Sequence, residues 1–222
     1  MLLTHPLFEG VAEERLMPLI SHAAIRSVPP GTVLHSPGEP GRPMYLVFRG
    51  SLRAYQLTAD GRKLILEMIE PGGWDGLLPM LGQRGHFTES AEESVVACLD
   101  WSLIERLSLA DNRVMRNLVE LVAGRLQGRE EHLESMVIRD PTRRLARQLL
   151  ALTRVVGQRV DDDRAAIPRT ITHQVLADML GVRRETVTLH LADLVNRGAI
   201  ERGRPMTVRR RRLEAIAETP DG

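Results

Sequence analysis

Short apolar runs separated by glycine and proline dominate the first hundred residues. Examples are 44–48, 64–69 and 95–99, and ten of the 18 glycines lie between Pro29 and His86. After Lys63, the apolar residues Leu64, Leu66 and Met68 alternate with their neighbours and share one face, as residues of a β-strand do. Turn signals recur about every 8 to 12 residues, which predicts an antiparallel barrel or jelly roll.

Beyond Leu107, glycine and proline become rare and the apolar residues recur at helical spacing. A helix is predicted from Asp111 to Val137, with an apolar stripe that is long for a globular helix. Because such a stripe needs a partner on more than one side, we expect the helix to pack on its own domain and on a second copy of the chain. A plain core helix is the alternative. The stripe comprises Val114, Leu118, Leu121, Val122, Leu126, Leu133 and Met136.

Two glycines interrupt this helix, and a shorter helix is predicted near the start of the chain. Gly124 and Gly128 each cost about 1 kcal/mol relative to alanine inside a helix. Close approach of another helix or local looseness would explain them. The shorter, amphipathic helix is predicted from Pro6 to His22.

The dipeptide Asp140-Pro141 predicts a break followed by a new helix. Aspartate is a good N-cap, and proline is favoured at the first helical position. A helix is therefore expected from Pro141 to Val156, and a polar loop from Gly157 to Arg169. We interpret the acidic run 161–163 in that loop as a solvated surface.

A helix, a tight glycine turn and a second helix are predicted next. Thr172 can cap a helix that ends near Leu180, Gly181 supplies the turn, and the second helix runs from Arg183 to Asn196. The inner faces are assigned to Ala177, Leu180, Val182, Val187, Leu191 and Leu194. The polar residues left at the start of the second helix are Arg183, Arg184, Glu185, Thr188 and His190.

In this arrangement the first turn of the second helix enters the major groove of DNA. Arginine can bond guanine O6 and N7, and a carboxylate can accept from cytosine N4, so Arg184 and Glu185 suit base contacts. The alternative for Glu185 is that it only stabilises the positive end of its helix. Beyond Gly198, residues 199–202 and 206–209 predict a two-stranded wing whose tip carries Arg204, beside the phosphates. One or two of the arginines in 209–212 are expected to add to this contact.

Charge is distributed unevenly along the chain. Residues 1–138 carry 13 Lys and Arg against 18 Asp and Glu, a net charge of −5, whereas residues 139–222 carry 17 against 11, a net charge of +6. A basic C-terminal third that coincides with the predicted helix-turn-helix favours a polyanionic partner.

The segment from Ile171 to Val187 closely resembles the DNA-binding signature of the CRP/FNR family of bacterial regulators. The resemblance extends over nearly the whole chain and includes the glycine-spaced β-roll with Gly50 and Gly72, residues 125–127 of the long helix, and the hinge at Asp140 followed by 142–146. It implies an α+β fold with three parts. These are an antiparallel, jelly-roll-like sensor domain (1–110), a dimerisation helix (111–138) and a winged helix-turn-helix DNA-binding domain (139–222).

The resemblance also implies partners and roles. The partners would be double-stranded DNA, RNA polymerase and a second copy of the chain. Arg184 and Glu185 would contact bases, Thr172 and Gln174 would contact phosphates, and His173 takes a position often held by arginine. A frequent third base-contacting arginine is replaced by Leu189, which either contacts a thymine methyl or only packs under its helix.

The effector is unknown: an unidentified small molecule, or no ligand and control by protein abundance, are both open, and the sequence argues against cyclic AMP. Nucleotide-binding members place a glutamate after the glycine of a phosphate cassette, whereas here Asp75-Gly76 is followed by Leu77. Our alignment puts Phe87 and Thr88 in place of an arginine-serine pair. Arg129 and Glu130 replace the small hydroxyl pair on the dimer helix. Each missing charge-assisted bond is worth about 1.5 to 3 kcal/mol.

Other cofactors find little support in the sequence. An iron-sulfur cluster needs several thiolates, and Cys98 is the only cysteine. A haem-dependent gas sensor of the same fold remains an alternative, with one axial ligand from the β-rich region. The candidates are His5, His22, His35, His86 and Cys98. The histidines are solitary in sequence, so no metal site is expected.

Other classes of protein are disfavoured. A cupin-like metal enzyme would need a histidine-carboxylate grouping, and no catalytic motif is present, so no enzyme is expected. An architectural protein that binds all duplexes equally is a further alternative. The start of the chain lacks signal-peptide character, and no run approaches the roughly 20 apolar residues of a membrane span. We therefore expect a cytoplasmic protein.

Overall fold

The structure is a computed structural model that describes residues 2–39, 43–76, 85–201, 203 and 205–219, with the backbone alone at 131, 132 and 136. The chain folds into two compact units. The first comprises residues 1–57 and 65–127, and the second comprises residues 58–64 and 128–222. Both contain helices and sheets, which confirms the predicted α+β class.

The first unit is built on two four-stranded sheets, with strand orders β1-β8-β3-β6 and β2-β7-β4-β5, which together we call the β-roll. Its central pair is antiparallel, with Met44 opposite Leu99 and Leu46 opposite Ala97. The strands are β1 (Ala24–Val28), β2 (Val33–His35), β3 (Pro43–Arg49), β4 (Leu52–Leu57), β5 (Lys63–Ile69), β6 (Trp74–Asp75), β7 (Phe87–Ser90) and β8 (Ser94–Asp100).

Strand β5 buries different residues from the face seen in the sequence. Leu64, Leu66 and Met68 are half-buried, whereas Ile65 and Ile69 are buried. Apolar residues lie on both faces of the strand, so alternation alone does not identify the side that packs on the core.

The start of the chain is also broken more often than predicted. Instead of one helix from Pro6 to His22, two 3-10 turns (Leu2–Thr4 and Pro6–Phe8) precede α1 (Glu13–His22). The prediction was wrong because Gly10 takes a positive φ of 72°, which a right-handed helix does not accommodate. Helix α2 (Trp101–Ala110), which the sequence analysis did not predict, begins where Asp100 accepts from the backbone N–H of Ser102.

The main core of this unit lies between one sheet and the surrounding helices, and bulky aliphatic and aromatic side chains fill it. Its fully or nearly fully buried members include Leu7, Phe8, Leu16, Leu19, Met44, Leu46, Trp74, Leu99, Trp101, Ile104, Val114 and Leu118.

The predicted long helix is confirmed as α3 (Asn112–Met136). Its inner face buries Val114 and Leu118, and the Asn117 amide donates to two backbone carbonyls near the start of the chain. Next to this face, the described part of the helix leaves large apolar residues exposed in the single chain: Met115, Val119, Leu126 and Leu133. A Cβ placed on Gly124 or Gly128 would meet no described atom within 4 Å, so no contact within this chain explains either glycine.

The second unit combines helices with the sheet β11-β12-β10-β9. Its elements are α4 (Pro141–Val155), β9 (Gln158–Arg159), β10 (Arg164–Ile167), α5 (His173–Leu180), α6 (Arg184–Asn196), β11 (Ile200–Glu201), β12 (Met206–Arg209) and α7 (Arg210–Ala217). The Asp140 carboxylate caps α4, since it accepts from the backbone N–H of Thr142 at 2.8 Å.

The segment predicted as a polar loop, Gly157 to Arg169, contains strands β9 and β10 instead. The acidic run forms the turn between them, in which Asp161 Oδ1 accepts from the backbone N–H groups of Asp163 and Arg164. The sequence did not predict these strands because they are short and the turn between them is strongly polar. No described helix has the length and apolar character needed to cross a membrane.

Candidate nucleic-acid interface

The predicted helix, turn and helix are confirmed as α5 and α6. Thr172 Oγ1 accepts from the backbone N–H of Val175 at 3.2 Å and begins α5. Gly181 ends it in the left-handed conformation, with φ 64° and its N–H bonded to Ala177 O. A side chain at this position would be strained, so glycine allows the chain to reverse tightly into α6.

The side of α6 that faces the unit's core is apolar and firmly held. Val187, Leu191 and Leu194 are buried, and α4 packs against both α5 and α6. Of the predicted inner residues, Leu180 and Val182 are only half-buried. His190 turns sideways, with Nδ1 2.9 Å from Thr142 Oγ1 on α4. These contacts fix the orientation of the outer face of α6.

The outer face presents the side chains that the sequence predicts for DNA contact. Arg183, Arg184, Glu185 and Thr188 are all exposed in the first turns of α6 or immediately before it. Leu189 is 67% exposed. The interpretation that Leu189 only packs under its helix is therefore wrong, and the contact with a thymine methyl remains.

The beginning of α5 lies beside this face. His173 Nδ1 is 3.0 Å from Thr188 Oγ1, so the two helices share a polar contact at the exposed surface. Gln174 Nε2 donates to Asp178 Oδ1 at 2.7 Å. The Thr172 oxygen already accepts the capping bond, which leaves its hydroxyl hydrogen available to an anionic oxygen.

The predicted wing is present as β11 and β12, which pair antiparallel. Arg204 at its tip lies outside the described residues. Arg209 donates twice to Glu201 Oε1, at 3.0 and 2.9 Å, so its charge is largely neutralised. Arg212 donates to the backbone carbonyl of Arg197. The side chains of Arg209 and Arg212 therefore have partners within the fold.

A second group of polar side chains, missed in the sequence, lies inside the β-roll. His35 Nε2 lies 2.5 Å from Asp75 Oδ2, and His86 Nε2 lies 3.2 Å from Asp75 Oδ1. The Thr88 hydroxyl donates to Asp75 Oδ2 at 2.9 Å. All four residues are buried. Burial raises the pKa of Asp75, but the hydrogen bonds from the two imidazoles outweigh it, so this pKa lies well below its usual range.

The prediction that each histidine stands apart from other potential metal ligands is therefore wrong for His35 and His86. They stand 40 and 11 positions from Asp75 along the chain, and strand pairing in two different sheets brings the three together. Spacing in the sequence carries no signal of this grouping. Of the other haem candidates, His5 is buried against the carbonyl of Gly73 and His22 is exposed on α1.

Helix α3 contacts the same region of the β-roll through Arg125. Its Nε and Nη2 atoms each lie 2.7 Å from Glu67 Oε2. The guanidinium also stacks over the Trp74 ring, 4.7 Å from its centroid, and Nη2 lies 3.8 Å from Asp75 Oδ1. Arg125 therefore joins α3 to the carboxylates of β5 and β6.

Two family models match the chain. The cyclic nucleotide-binding domain matches residues 25–111, and the Crp-like helix-turn-helix domain matches residues 143–216. The first match covers most of the β-roll. The second covers α5, α6 and the wing.

Similar proteins match between 73% and 98% of the chain. The "Cyclic AMP receptor protein" of Thermus thermophilus is 30% identical over 224 residues, which cover 98% of this chain and 97% of that protein. The "Transcriptional regulator LdrP" of Thermus thermophilus is 34% identical over 165 residues, or 73% of this chain and 80% of that protein. The solved structure of FixK2 from Bradyrhizobium japonicum matches with a TM-score of 0.76 at 26% identity, covering 90% of this chain and 99% of the other.

Proposed function

Because the chain belongs to the CRP/FNR family of transcription regulators, we propose that it binds palindromic promoter DNA as a homodimer, without cyclic AMP as its effector. The exposed face at the start of α6 is the observation that carries this proposal. Its side chains project from a helix whose opposite side is buried, which is the preorganisation that a base-contacting helix needs. The helix-turn-helix family model and the relatives indicate a regulator rather than an enzyme.

Base contacts are assigned to three residues of α6. The Arg184 guanidinium suits a bidentate bond to guanine, and the Glu185 carboxylate suits the amino group of cytosine. Both side chains are exposed. The exposed isobutyl group of Leu189, one helical turn further on, suits the methyl group of thymine.

Phosphate contacts are assigned to the flanks of this face. Thr172, His173 and Gln174 surround the N-terminus of α5, where the helix dipole and free N–H groups favour an anion. Arg183, and Arg204 by the sequence argument alone, add positive charge. These contacts position the protein without selecting sequence.

Pairing of two chains is assigned to α3. Val119 is 58% exposed and Leu126 is 57% exposed in the single chain. Met115 and Leu133 continue the same stripe, whose members are four, seven and seven residues apart. This spacing is typical of a helix that packs along a second helix. A dimer would cover this stripe and place two copies of α6 on one face of DNA, one helical turn apart.

The contacts inside the β-roll argue against cyclic AMP as the effector. Asp75 is already bonded to two imidazoles and the Thr88 hydroxyl, so it has little capacity left for a ribose. Phe87, which our alignment places against the cyclic phosphate, stacks on Tyr55 and offers no charge. Several relatives are named for cyclic AMP, so DNA binding is to be compared with and without this nucleotide. A bound dimer would recruit RNA polymerase to the promoter or block it.

Selection of bound duplexes from a random pool tests the proposal. The wild-type protein should enrich a palindrome with half-sites about one helical turn apart, equally with and without added cyclic AMP. Arg184→Ala should cost about 1 to 3 kcal/mol on that site and relax one position in each half. Arg204→Ala should weaken all duplexes alike, and Arg26→Ala, an exposed arginine on β1, should change nothing.

Three outcomes would overturn parts of the proposal. Equal enrichment of all sequences would favour an architectural DNA-binding protein. An enriched site that appears only with cyclic AMP would show that the nucleotide is the effector. An enriched site without twofold symmetry would contradict the dimer.

A further inference from the structure

We propose that His35, Asp75 and His86 form a binding site for a divalent first-row transition metal ion of the Zn²⁺ or Co²⁺ type. The site lies inside the β-roll and goes beyond the DNA-binding function proposed above. Two imidazole nitrogens and one carboxylate oxygen form a donor set that binds such ions in preference to Mg²⁺ or Ca²⁺.

The ligand atoms already converge. One donor atom from each of the three residues lies within 4.8 Å of the other two. Around a tetrahedral ion with bonds of about 2.1 Å, neighbouring ligand atoms lie about 3.4 Å apart. The separation of 3.2 Å between His86 Nε2 and Asp75 Oδ1 matches this value. The 2.5 Å between His35 Nε2 and Asp75 Oδ2 must widen by about 1 Å, which a small side-chain rotation provides.

The three residues are buried in a rigid scaffold. The side chains of His35, Asp75 and His86 are 2%, 1% and 7% exposed. His35 is the last residue of β2, Asp75 is the last residue of β6, and His86 immediately precedes β7. His35 Nδ1 is buried without a hydrogen-bond partner among the described residues. A buried polar atom left unpaired costs about 1 to 3 kcal/mol. Coordination through Nε2 would keep the proton on Nδ1 without pairing it, so the convergence and burial of the three ligands carry the metal site.

The net charge of the side chains around Asp75 favours a cation. Among the described residues, the Arg125 guanidinium pairs with Asp75, with Nη2 3.8 Å from Oδ1, but its closer partner is Glu67 at 2.7 Å. The two carboxylates and this guanidinium together carry one negative charge. A bound divalent ion would meet the Asp75 carboxylate directly, while Glu67 neutralises Arg125.

Thr88 is assigned as a positioning residue. Its buried hydroxyl donates to Asp75 Oδ2 at 2.9 Å and fixes the plane of the carboxylate. Partners of this kind typically change metal affinity by 10- to 100-fold when they are removed. Gly76, next to Asp75, has φ 110° and lies where a Cβ would be 2.4 Å from the Pro43 carbonyl, so the backbone at this point is held closely.

Titration of the full-length, tag-free protein with Co²⁺ tests the site. After dialysis against a chelator, the visible d–d absorption and the bound cobalt per chain are measured. One ion per chain is expected, with nitrogen and oxygen ligands, and Zn²⁺ should displace it. His35→Gln and His86→Gln should each weaken binding by about 100-fold or more, Thr88→Val by about 10-fold, and Thr88→Ser should restore it.

The matched control is His5→Gln, which changes a buried histidine outside the cluster and should leave Co²⁺ binding unchanged. Binding that is absent in the wild-type chain, or that His86→Gln leaves intact, overturns the proposal. If circular dichroism shows that a variant does not fold, X-ray absorption of the Zn²⁺-loaded wild-type protein decides instead. Two imidazoles and a carboxylate support the site, and sulfur or oxygen ligands alone overturn it. DNA binding is not part of either readout, so failure of the proposed function would not be confused with failure of the metal site.

Discussion

The Arg125 guanidinium lies 2.7 Å from the Glu67 carboxylate and so ties helix α3 to strand β5. Both side chains are largely buried, at 16% and 21% exposed, and the guanidinium also covers the Trp74 ring. Much of the remaining contact between α3 and the β-roll is apolar. Arg125 therefore supplies a directional contact that fixes how α3 is rotated against the sheet.

Replacement of Arg125 by alanine should destabilise the first unit. The change removes the ion pair and the cation-π contact, and it leaves the Glu67 charge without its closest partner. We expect the free energy of unfolding to fall by about 2 to 3 kcal/mol, as measured by urea denaturation. Arg116→Ala, at an exposed position on the same helix, is the control and should have little effect. Equal losses in both variants would show that Arg125 contributes only helix propensity.

The helix-turn-helix could be predicted from the sequence because its signals are local. The Thr172 cap and the Gly181 turn act within a few residues, so the predicted bounds of α5 and α6 lie within one residue of those observed. The His35–Asp75–His86 grouping could not be predicted, since it depends on strand pairing between distant positions. The break at Gly10 was missed because glycine only permits a positive φ and does not require one.

Glu70 should make stability depend on pH. Burial raises the pKa of Glu70 to about 7, and the nearby Glu92 charge adds to the shift. Its Oε1 atom is buried without a hydrogen-bond partner among the described residues. In the unfolded chain this carboxyl loses its proton near pH 4.5, whereas in the folded chain it keeps the proton to about pH 7. The folded state therefore loses stability as the pH rises from about 4.5 to about 7.

Glu70→Gln should remove this loss. The full shift corresponds to about 3 kcal/mol, and solvent screening of a partly exposed carboxyl reduces it to about 1 to 2 kcal/mol. Urea denaturation should therefore find the variant more stable than the wild type at pH 8, with a smaller difference at pH 5. Glu105→Gln, on the exposed side of α2, serves as the control. A gap between Glu70→Gln and the wild type that stays constant with pH would contradict the assignment.

The exposed stripe on α3 should hold two chains together. A charge placed at Val119 or Leu126 would be buried without a partner in the proposed dimer, at a cost of several kcal/mol. Val119→Glu and Leu126→Glu should therefore shift the protein from dimer to monomer in sedimentation velocity. Met17→Glu, at an exposed apolar residue on α1, should remain dimeric. A wild-type chain that sediments as a monomer at all concentrations would contradict the proposed dimer.

Leu189 is 67% exposed on the outer face of α6. If its isobutyl group contacts a thymine methyl, Leu189→Ala should cost about 1 kcal/mol on the preferred site, roughly the value of burying one methyl group. Deoxyuridine in place of that thymine removes the methyl group alone and should cost the wild-type protein a similar amount. The two changes together should cost little more than either one, because they remove the same contact.

Fluorescence anisotropy with the four combinations of protein and duplex measures this coupling. Thr188→Val provides the comparison, since Thr188 lies one position earlier in α6 and bonds His173 within the protein. Its effect should add to that of deoxyuridine, because no shared methyl contact is involved. If the effects of Leu189→Ala and deoxyuridine are likewise additive, Leu189 does not touch that methyl group. Its exposure would then have another cause than sequence recognition.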